Sequence, residues 1–277
     1  MKAGPLKSWL IRQPLSEALR AAMKLTYRVE DQGVRLLIAD DPWFVRELVQ
    51  QGTDRMLKLW EQIWMVMHPE RSVPQRIPDD WLPVFRSGAD PAFGDRRCLA
   101  IVGVIPDLPM TLLTTNVAVE HKGPISVRQL IEGQFFWSDD PERDRKGILV
   151  KLESDDARAD GYWTSDKVHS GAMWVTPSLR GKRADGPPIA ASMAPLMRLV
   201  AHIGLKPDLI VGTVADPRLT KTFGSRVDGQ IHVTEAGETK TQALHIYDDA
   251  DMAKCIGDVL ADAEPTNQQT AKAGDVG

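Results

Sequence analysis

Residues 98–120 read CLAIVGVIPDLPMTLLTTNVAVE and decide the fold class. Two apolar runs rich in β-branched residues lie in this stretch, Cys98–Ile105 and Leu112–Glu120, and each has the length and composition of a β-strand. More strands are predicted towards the C-terminus, whereas helical periodicity dominates the first 70 residues. Because helices and strands are segregated along the chain, the sequence predicts an α+β fold: a helical N-terminal part followed by a mixed or antiparallel sheet with flanking helices.

In the N-terminal part, apolar residues recur at helical spacing in two segments. A short amphipathic helix is predicted for residues 15–23, followed by a strand at residues 34–39. A longer helix is predicted for residues 41–67, where Asp41 can cap the first turn and Pro42 suits the first helical position. The apolar stripe of this helix is broad enough to serve either the core or an interface, so a protein partner is one expectation.

The composition along the chain predicts four regions. Residues 1–70 form a helical N-terminal region, and residues 71–94, which are rich in proline and charge, form a connection. A connection of this length is uncommon inside one domain, which is why a boundary is expected there. Residues 95–264 form an α+β domain, and the polar residues 265–277 form a disordered tail.

Beyond residue 120 the sequence predicts strands, helices and one hairpin. Ser126 and Gln129 have the spacing of a capping box at the start of a short helix. Another helix is predicted for residues 193–203, and a last helix begins after Asp249. The hairpin flanks the sequence Ala-Gly-Glu-Thr at residues 236–239. The predicted strands cover residues 134–137, 147–153, 173–176, 208–214, 230–235 and 241–247.

Composition and charge exclude several classes of protein. The chain has 34 Lys and Arg against 38 Asp and Glu, a net charge of −4, which disfavours nucleic-acid binding over the whole surface but not through a local basic patch. Cys98 and Cys255 are too few and too far apart for a zinc module or a disulfide framework, and they fit a reducing compartment. No stretch has the roughly 18 uncharged apolar residues of a membrane span. We therefore expect a cytoplasmic, bacterial protein without membrane contact.

A basic loop is predicted at residues 177–188, which read PSLRGKRADGPP. Cationic side chains neutralise phosphates, and a glycine between them lets backbone N–H groups approach the same phosphates. Nearby tryptophans can stack on bases. The alternative is a plain exposed loop, which has a similar composition. The candidate residues for phosphate or nucleic-acid contact are Arg180, Gly181, Lys182, Arg183, Trp163 and Trp174.

A second candidate site lies on the predicted hairpin. If its turn occupies residues 236–239, His232 and His245 share one face as diagonal neighbours, about 7–8 Å apart. Asp248 follows, and imidazole with carboxylate is a ligand set that suits zinc or manganese. The alternative is a solvated outer face, because neither an HxH nor an HExxH spacing is present.

No catalytic motif is recognisable in the sequence: it has neither a GxSxG nucleophile elbow nor a dinucleotide-binding fingerprint. We therefore expect a non-catalytic binding or assembly subunit without a cofactor, which contacts nucleic acid or a nucleoprotein partner through the basic glycine loop. The alternative hypothesis is a metal-dependent hydrolase or nuclease that uses His232, His245 and nearby acids.

Overall fold

A single nine-stranded sheet dominates the part of the chain that the computed structural model describes. The described residues are 4–41, 61–71, 96–105, 111–121, 123–136, 141–161, 166–175, 189–214, 220 and 226–262. The strands are β1 (Gly4–Pro5), β2 (Arg35–Ala39), β3 (Cys98–Ile105), β4 (Thr111–His121), β5 (Leu149–Glu153), β6 (Lys167–Val175), β7 (Leu209–Val214), β8 (Gly229–Glu235) and β9 (Glu238–Tyr247). Their order in the sheet is β1-β2-β3-β4-β6-β7-β9-β8-β5, and every neighbouring pair is antiparallel except β6 and β7. The predicted α+β class is confirmed.

Helices cover both faces of this sheet. They are α1 (Leu6–Ile11), α2 (Glu17–Glu30), α3 (Val127–Glu132), α4 (Pro141–Asp144), α5 (Arg158–Gly161), α6 (Ile189–Leu205) and α7 (Asp249–Ala261). On one face α1, α2, α6 and α7 bury their apolar sides in a large core, and on the other face α3 packs with Phe136 in a second core. Burial of apolar surface is the main force that holds these layers together.

Several local predictions are confirmed by the described residues. Strand β3 has the predicted bounds. The capping box of α3 is present, because Ser126 accepts from the N–H of Gln129 and the Gln129 side chain accepts from the N–H of Ser126. Residues 61–67, at the end of the predicted long helix, are helical, while residues 42–60 lie outside the description.

One element prediction is wrong, and another has the wrong start. Residues 133–136 form a turn after α3 rather than a strand, and Gln134 has a positive φ of 62°. The Gln134 side chain stabilises this turn by donating to the carbonyl of Ile148 and accepting from Arg145. The strand predicted at residues 173–176 begins earlier, at Lys167.

The β8–β9 hairpin has a shorter turn than its sequence suggested. Ala236 and Gly237 have positive φ angles of 48° and 82°, and Glu235 pairs directly with Glu238. This is the two-residue turn whose twist matches that of the flanking strands. The register of the hairpin is therefore shifted by two residues from the one expected with a turn at 236–239.

The N-terminal strands belong to the same sheet as the later ones, since β2 pairs with β3 along its whole length. The division of the chain at residues 71–94 remains a prediction. None of the described helices is long and apolar enough to cross a membrane.

Candidate functional site

The parallel strands β6 and β7 share a ladder over only part of their length. Their register runs from the pair Lys167–Leu209 to the pair Ser170–Gly212. Beyond this last pair β6 continues beside β4 to Val175, and β7 continues beside β9 to its end. We call the opening between residues 171–175 of β6 and residues 213–214 of β7 the fork. Along the fork, the main-chain N–H and C=O groups of β6 and β7 do not pair with each other.

A bulge in β6 lies at the fork. The register between β4 and β6 shifts from Val117–Gly171 to Thr115–Trp174, so residues 172–173 of β6 lie opposite a single residue of β4. An extra residue in one strand leaves the ladder locally and redirects its main-chain groups. The bulge therefore frees main-chain N–H groups of β6 from the pairing with β4.

The position of the fork in the topology is one where ligands commonly bind. Strand β6, helix α6 and strand β7 form a parallel crossover, in which α6 packs on the sheet. Ligands of such units lie beyond the carboxyl ends of the strands, and helix N-termini favour phosphate groups. The predicted basic loop is the connection from Val175 at the end of β6 to Ile189 at the start of α6.

His169 lies on β6 one residue before the fork. Its ring stacks on Phe136, with centroids 4.3 Å apart and planes at 1°. Its Nε2 is buried and has no hydrogen-bond partner in the described part of the chain. Gly171 leaves space for this nitrogen, since a Cβ at Gly171 would lie 3.0 Å from it. Burial lowers the pKa of His169 to about 4, so the ring is neutral at pH 7.

His121 of β4 lies on the same face of the sheet. Its ring centroid is 5.4 Å from that of Phe136 and 6.4 Å from that of His169. Arg96 Nη1 lies 3.2 Å from His121 Nδ1. Because a guanidinium only donates, Nδ1 accepts and the neutral ring carries its proton on Nε2. Burial lowers the pKa of His121 to about 2, with His169, Arg96 and Lys167 acting in the same direction.

We expect the free energy of unfolding to fall as the pH drops from 6.5 towards 4. The folded state keeps His121 and His169 neutral, while the unfolded chain protonates them near their ordinary pKa of 6.5 and so binds more protons in this range. Each ring contributes up to about 1.4 kcal/mol per pH unit. Burial also lowers the pKa of His245, which adds to the effect.

Chemical denaturation at several pH values between 7.5 and 4.5 measures this slope. The variant His169→Gln should show a shallower dependence on pH than the wild type, because one of the titrating rings is gone. An identical slope in both proteins would contradict the assignment of His169 as a buried neutral ring.

Of the residues predicted to contact phosphate or nucleic acid, Trp174 alone lies within the described part of the chain. It is in β6, opposite Thr115, on the segment that borders the fork. The other predicted contacts, Arg180, Gly181, Lys182, Arg183 and Trp163, lie outside the described residues.

The structure does not bring together the predicted metal ligands. His232 pairs with Thr241, whereas His245 lies four residues farther along β9, opposite Gly212. Four residues of an antiparallel strand span about 14 Å. The diagonal contact is absent because the turn has two residues rather than four.

Each of these residues has other partners. His232 Nδ1 lies 3.1 Å from Thr241 Oγ1, and its Nε2 lies 3.3 Å from Glu153. His245 is buried and contacts the carbonyl of Arg226 through Nδ1, and Asp248 caps α7. Across the described residues no group of three or more His, Cys, Asp or Glu side chains is placed to hold a metal ion.

Sequence reasoning missed the pair His121 and His169. The signal that was available is the order strand, basic loop, helix, glycine, strand over residues 173–214. Extending the first strand back to Lys167 would have made this a parallel crossover unit and placed His169 inside it. The pairing of β4 with β6, which brings His121 into range, has no local sequence signal.

No family model matches the chain, and no curated protein matches it. Among solved structures, it is similar to the apo form of a mutant agmatine N-acetyltransferase, with a TM-score of 0.30, 10% identity, and 54% of this chain and 73% of that chain covered. It is also similar to an acetyltransferase of the GNAT family from Bacillus anthracis, with a TM-score of 0.32, 12% identity, and 78% and 96% covered.

Both of these proteins are acetyltransferases, and this comparison overturns the function predicted from the sequence. The prediction of a non-catalytic binding or assembly subunit is wrong, and the comparisons support neither nucleic acid nor a nucleoprotein partner. The alternative of a metal-dependent hydrolase or nuclease is not supported either. Likeness at these TM-scores identifies neither a substrate nor a catalytic residue of this chain.

Proposed function

We propose that the chain is an acyltransferase whose acyl donor is a coenzyme A thioester, and that the donor binds in the fork between β6 and β7. The observation that carries this proposal is the end of the β6–β7 ladder at Ser170 and Gly212, while both strands continue. A narrow, extended molecule with amide groups can lie between the separated edges and form main-chain hydrogen bonds, as an added strand does. The pantetheine arm of coenzyme A is such a molecule.

The charge distribution in the sequence supports a donor that carries phosphates. The chain is acidic overall, with a net charge of −4, yet Arg180, Lys182 and Arg183 are grouped around Gly181. These residues belong to the connection that starts at Val175, at the carboxyl end of β6. The proposal therefore assigns the phosphates of a donor whose arm lies in the fork to the cations of this connection.

The surroundings of the fork also suit acyl transfer. Negative charge develops on the acyl oxygen during such a reaction, and main-chain N–H groups aimed at that oxygen stabilise it. The bulge at residues 172–173 of β6 supplies N–H groups outside the β4–β6 ladder. The buried, neutral ring of His169 supplies a nitrogen that can exchange a proton with a reacting group.

Titration calorimetry with four ligands tests the proposal. Coenzyme A should bind with a Kd on the order of 10 μM, within the usual range for enzyme substrates. Pantetheine, which lacks the phosphates, and adenosine 3′,5′-bisphosphate, which lacks the arm, should each bind at least about tenfold more weakly, because each loses contacts worth more than about 1.4 kcal/mol.

Acetyl-coenzyme A should bind as tightly as coenzyme A, because the acetyl group adds few contacts. If adenosine 3′,5′-bisphosphate binds as tightly as coenzyme A, the pantetheine arm contributes nothing to the affinity. That result would contradict the placement of the arm in the fork. An absence of binding for all four ligands would also contradict it.

A further inference from the structure

We infer that His169 is the catalytic base that takes the proton from the acyl acceptor, and that His121 binds the acceptor's nucleophilic atom. This inference rests on the proposed function, since it concerns the second substrate of the same reaction. It assigns the acceptor to the class of hydroxyl compounds, whose oxygen has one lone pair to accept a hydrogen bond and a second one to attack.

The first argument is the position of the His169 side chain. His169 pairs with Val119 on one side and Val211 on the other, one residue before the β6–β7 ladder ends. Its Nε2 lies over Gly171, the first residue of the fork, as the 3.0 Å approach to a Cβ at that position shows. The nitrogen is therefore at the inner end of the space in which the donor is proposed to lie.

The second argument is that the two buried nitrogens lack partners. Nε2 of His121 and Nε2 of His169 both have no hydrogen-bond partner within the described residues. A buried polar atom left in this state destabilises the fold, and folded proteins rarely retain one without a reason. A ligand that hydrogen-bonds to both atoms would explain why two of them lie on one face of the sheet.

The third argument is the chemical character of the pair. The contact with Arg96 places the proton of His121 on Nε2, which is then a donor. A neutral His169 with its proton on Nδ1 offers an acceptor. The ring centroids are 6.4 Å apart, so the two rings are neighbours on one face of the sheet. A hydroxyl group, which accepts with one lone pair, donates its proton and keeps a second lone pair for the attack, matches this pair of donor and acceptor.

The reaction then balances without any other reagent. The acceptor's lone pair forms a bond to the carbonyl carbon of the thioester, and its proton passes to Nε2 of His169. The bond between carbon and sulfur breaks, and the leaving thiolate takes up a proton from the imidazolium or from water. The products are the acylated acceptor and the free thiol.

The charged groups around His169 agree with this role. Among the described residues, His121 on β4 lies beside His169, and Arg96 and Lys167 act in turn on His121, whereas Phe136 and Val211 present apolar surfaces to His169. The pKa of His169, at about 4, makes it a weak base. A weak base is sufficient here, because the hydroxyl oxygen becomes strongly acidic once it is bonded to the acyl carbon.

The test uses acetyl-coenzyme A as donor and hydroxylamine as acceptor, since hydroxylamine is small, neutral at pH 7 and carries a hydroxyl group. Release of the thiol is followed in single-turnover mixing, and coenzyme A affinity is measured by calorimetry on the same proteins. His169→Gln should transfer about 100- to 10,000-fold more slowly, the usual contribution of a positioned base. Its affinity for coenzyme A should stay within about twofold of the wild type.

Two further variants exclude a merely structural role. In His169→Ala, added imidazole should restore part of the lost rate, which a packing defect would not allow. Gly171→Ala should also slow transfer, because its methyl group would lie 3.0 Å from Nε2. The matched control is Gly257→Ala on α7, where a Cβ has no neighbour within 4 Å and the rate should not change.

A wild-type rate in His169→Gln would overturn the inference, and so would a loss of coenzyme A affinity parallel to the loss of rate. If circular dichroism shows that His169→Gln does not fold, the rate of transfer in Gly171→Ala decides instead. An unchanged rate in that variant would overturn the inference. A wild type that binds coenzyme A but transfers nothing to hydroxylamine also overturns it. A wild type that binds no coenzyme A overturns the proposed function itself.

Discussion

Replacing Arg180, Lys182 and Arg183 together with alanine is expected to weaken the binding of coenzyme A by about a hundredfold or more. A hydrogen bond to a charged group contributes about 1.5–3 kcal/mol, and loss of two or three such contacts to phosphate amounts to at least 3 kcal/mol. At about 1.4 kcal/mol per tenfold change in Kd, this corresponds to at least a hundredfold. Calorimetry at low and at moderate salt measures both the loss and its salt dependence.

Salt should weaken coenzyme A binding in the wild type and have little effect in the triple variant, because screening acts on the charges that the variant lacks. The matched control replaces three exposed cations elsewhere, Arg20 on α2, Lys240 on β9 and Lys254 on α7, and should leave the Kd unchanged. Equal losses in the two triple variants would show a general charge effect and refute a phosphate contact at residues 180–183.

Replacing Arg158 with methionine is expected to lower the free energy of unfolding by about 3 kcal/mol. Its guanidinium lies within 3.3 Å of the carboxylates of Asp156, Asp228, Asp248 and Asp251, and its side chain is 13% exposed. These carboxylates belong to the turn before α5, the start of β8 and the first turn of α7. Removal of one partner of a buried ion pair leaves uncompensated charge and costs about 3–5 kcal/mol.

Arg226 provides the matched control for that substitution. It contacts two of the same carboxylates, Asp228 and Asp251, but its side chain is 52% exposed. Arg226→Met should therefore cost less than about 1 kcal/mol, as exposed ion pairs do. Urea denaturation of both variants distinguishes the two cases. Similar losses of stability would contradict the assignment of Arg158 as the buried centre of this cluster.

The elements with strong periodicity were predictable from the sequence, and the fork was not. Strand β3 is an uninterrupted apolar run, so its bounds follow from composition alone. Strand β6 begins Lys167, Val168, His169, Ser170, Gly171, a series with too little alternation to predict a strand. This start was missed, and with it the parallel crossover whose connection includes residues 177–188.

The candidate site depends on pairings between distant strands, which short-range patterns do not encode. The grouping of cations around Gly181 is visible in the sequence, and their contact with phosphate remains a prediction. The contact between His121 and His169 arises only because β4 pairs with β6 in one particular register. The metal hypothesis depended on a turn length, and the two-residue turn at Ala236 and Gly237 moved His232 and His245 apart.

Main-chain hydrogen exchange, followed by mass spectrometry with and without coenzyme A, tests the central claim most directly. The donor is proposed to form main-chain hydrogen bonds at the fork, so exchange should slow in residues 171–175 and 213–214 and in the loop at 177–188. Exchange in the hairpin at residues 229–247 should not change. Bound coenzyme A that leaves exchange at the fork unaltered, or slows it only elsewhere, would contradict the assignment of the fork as the donor site.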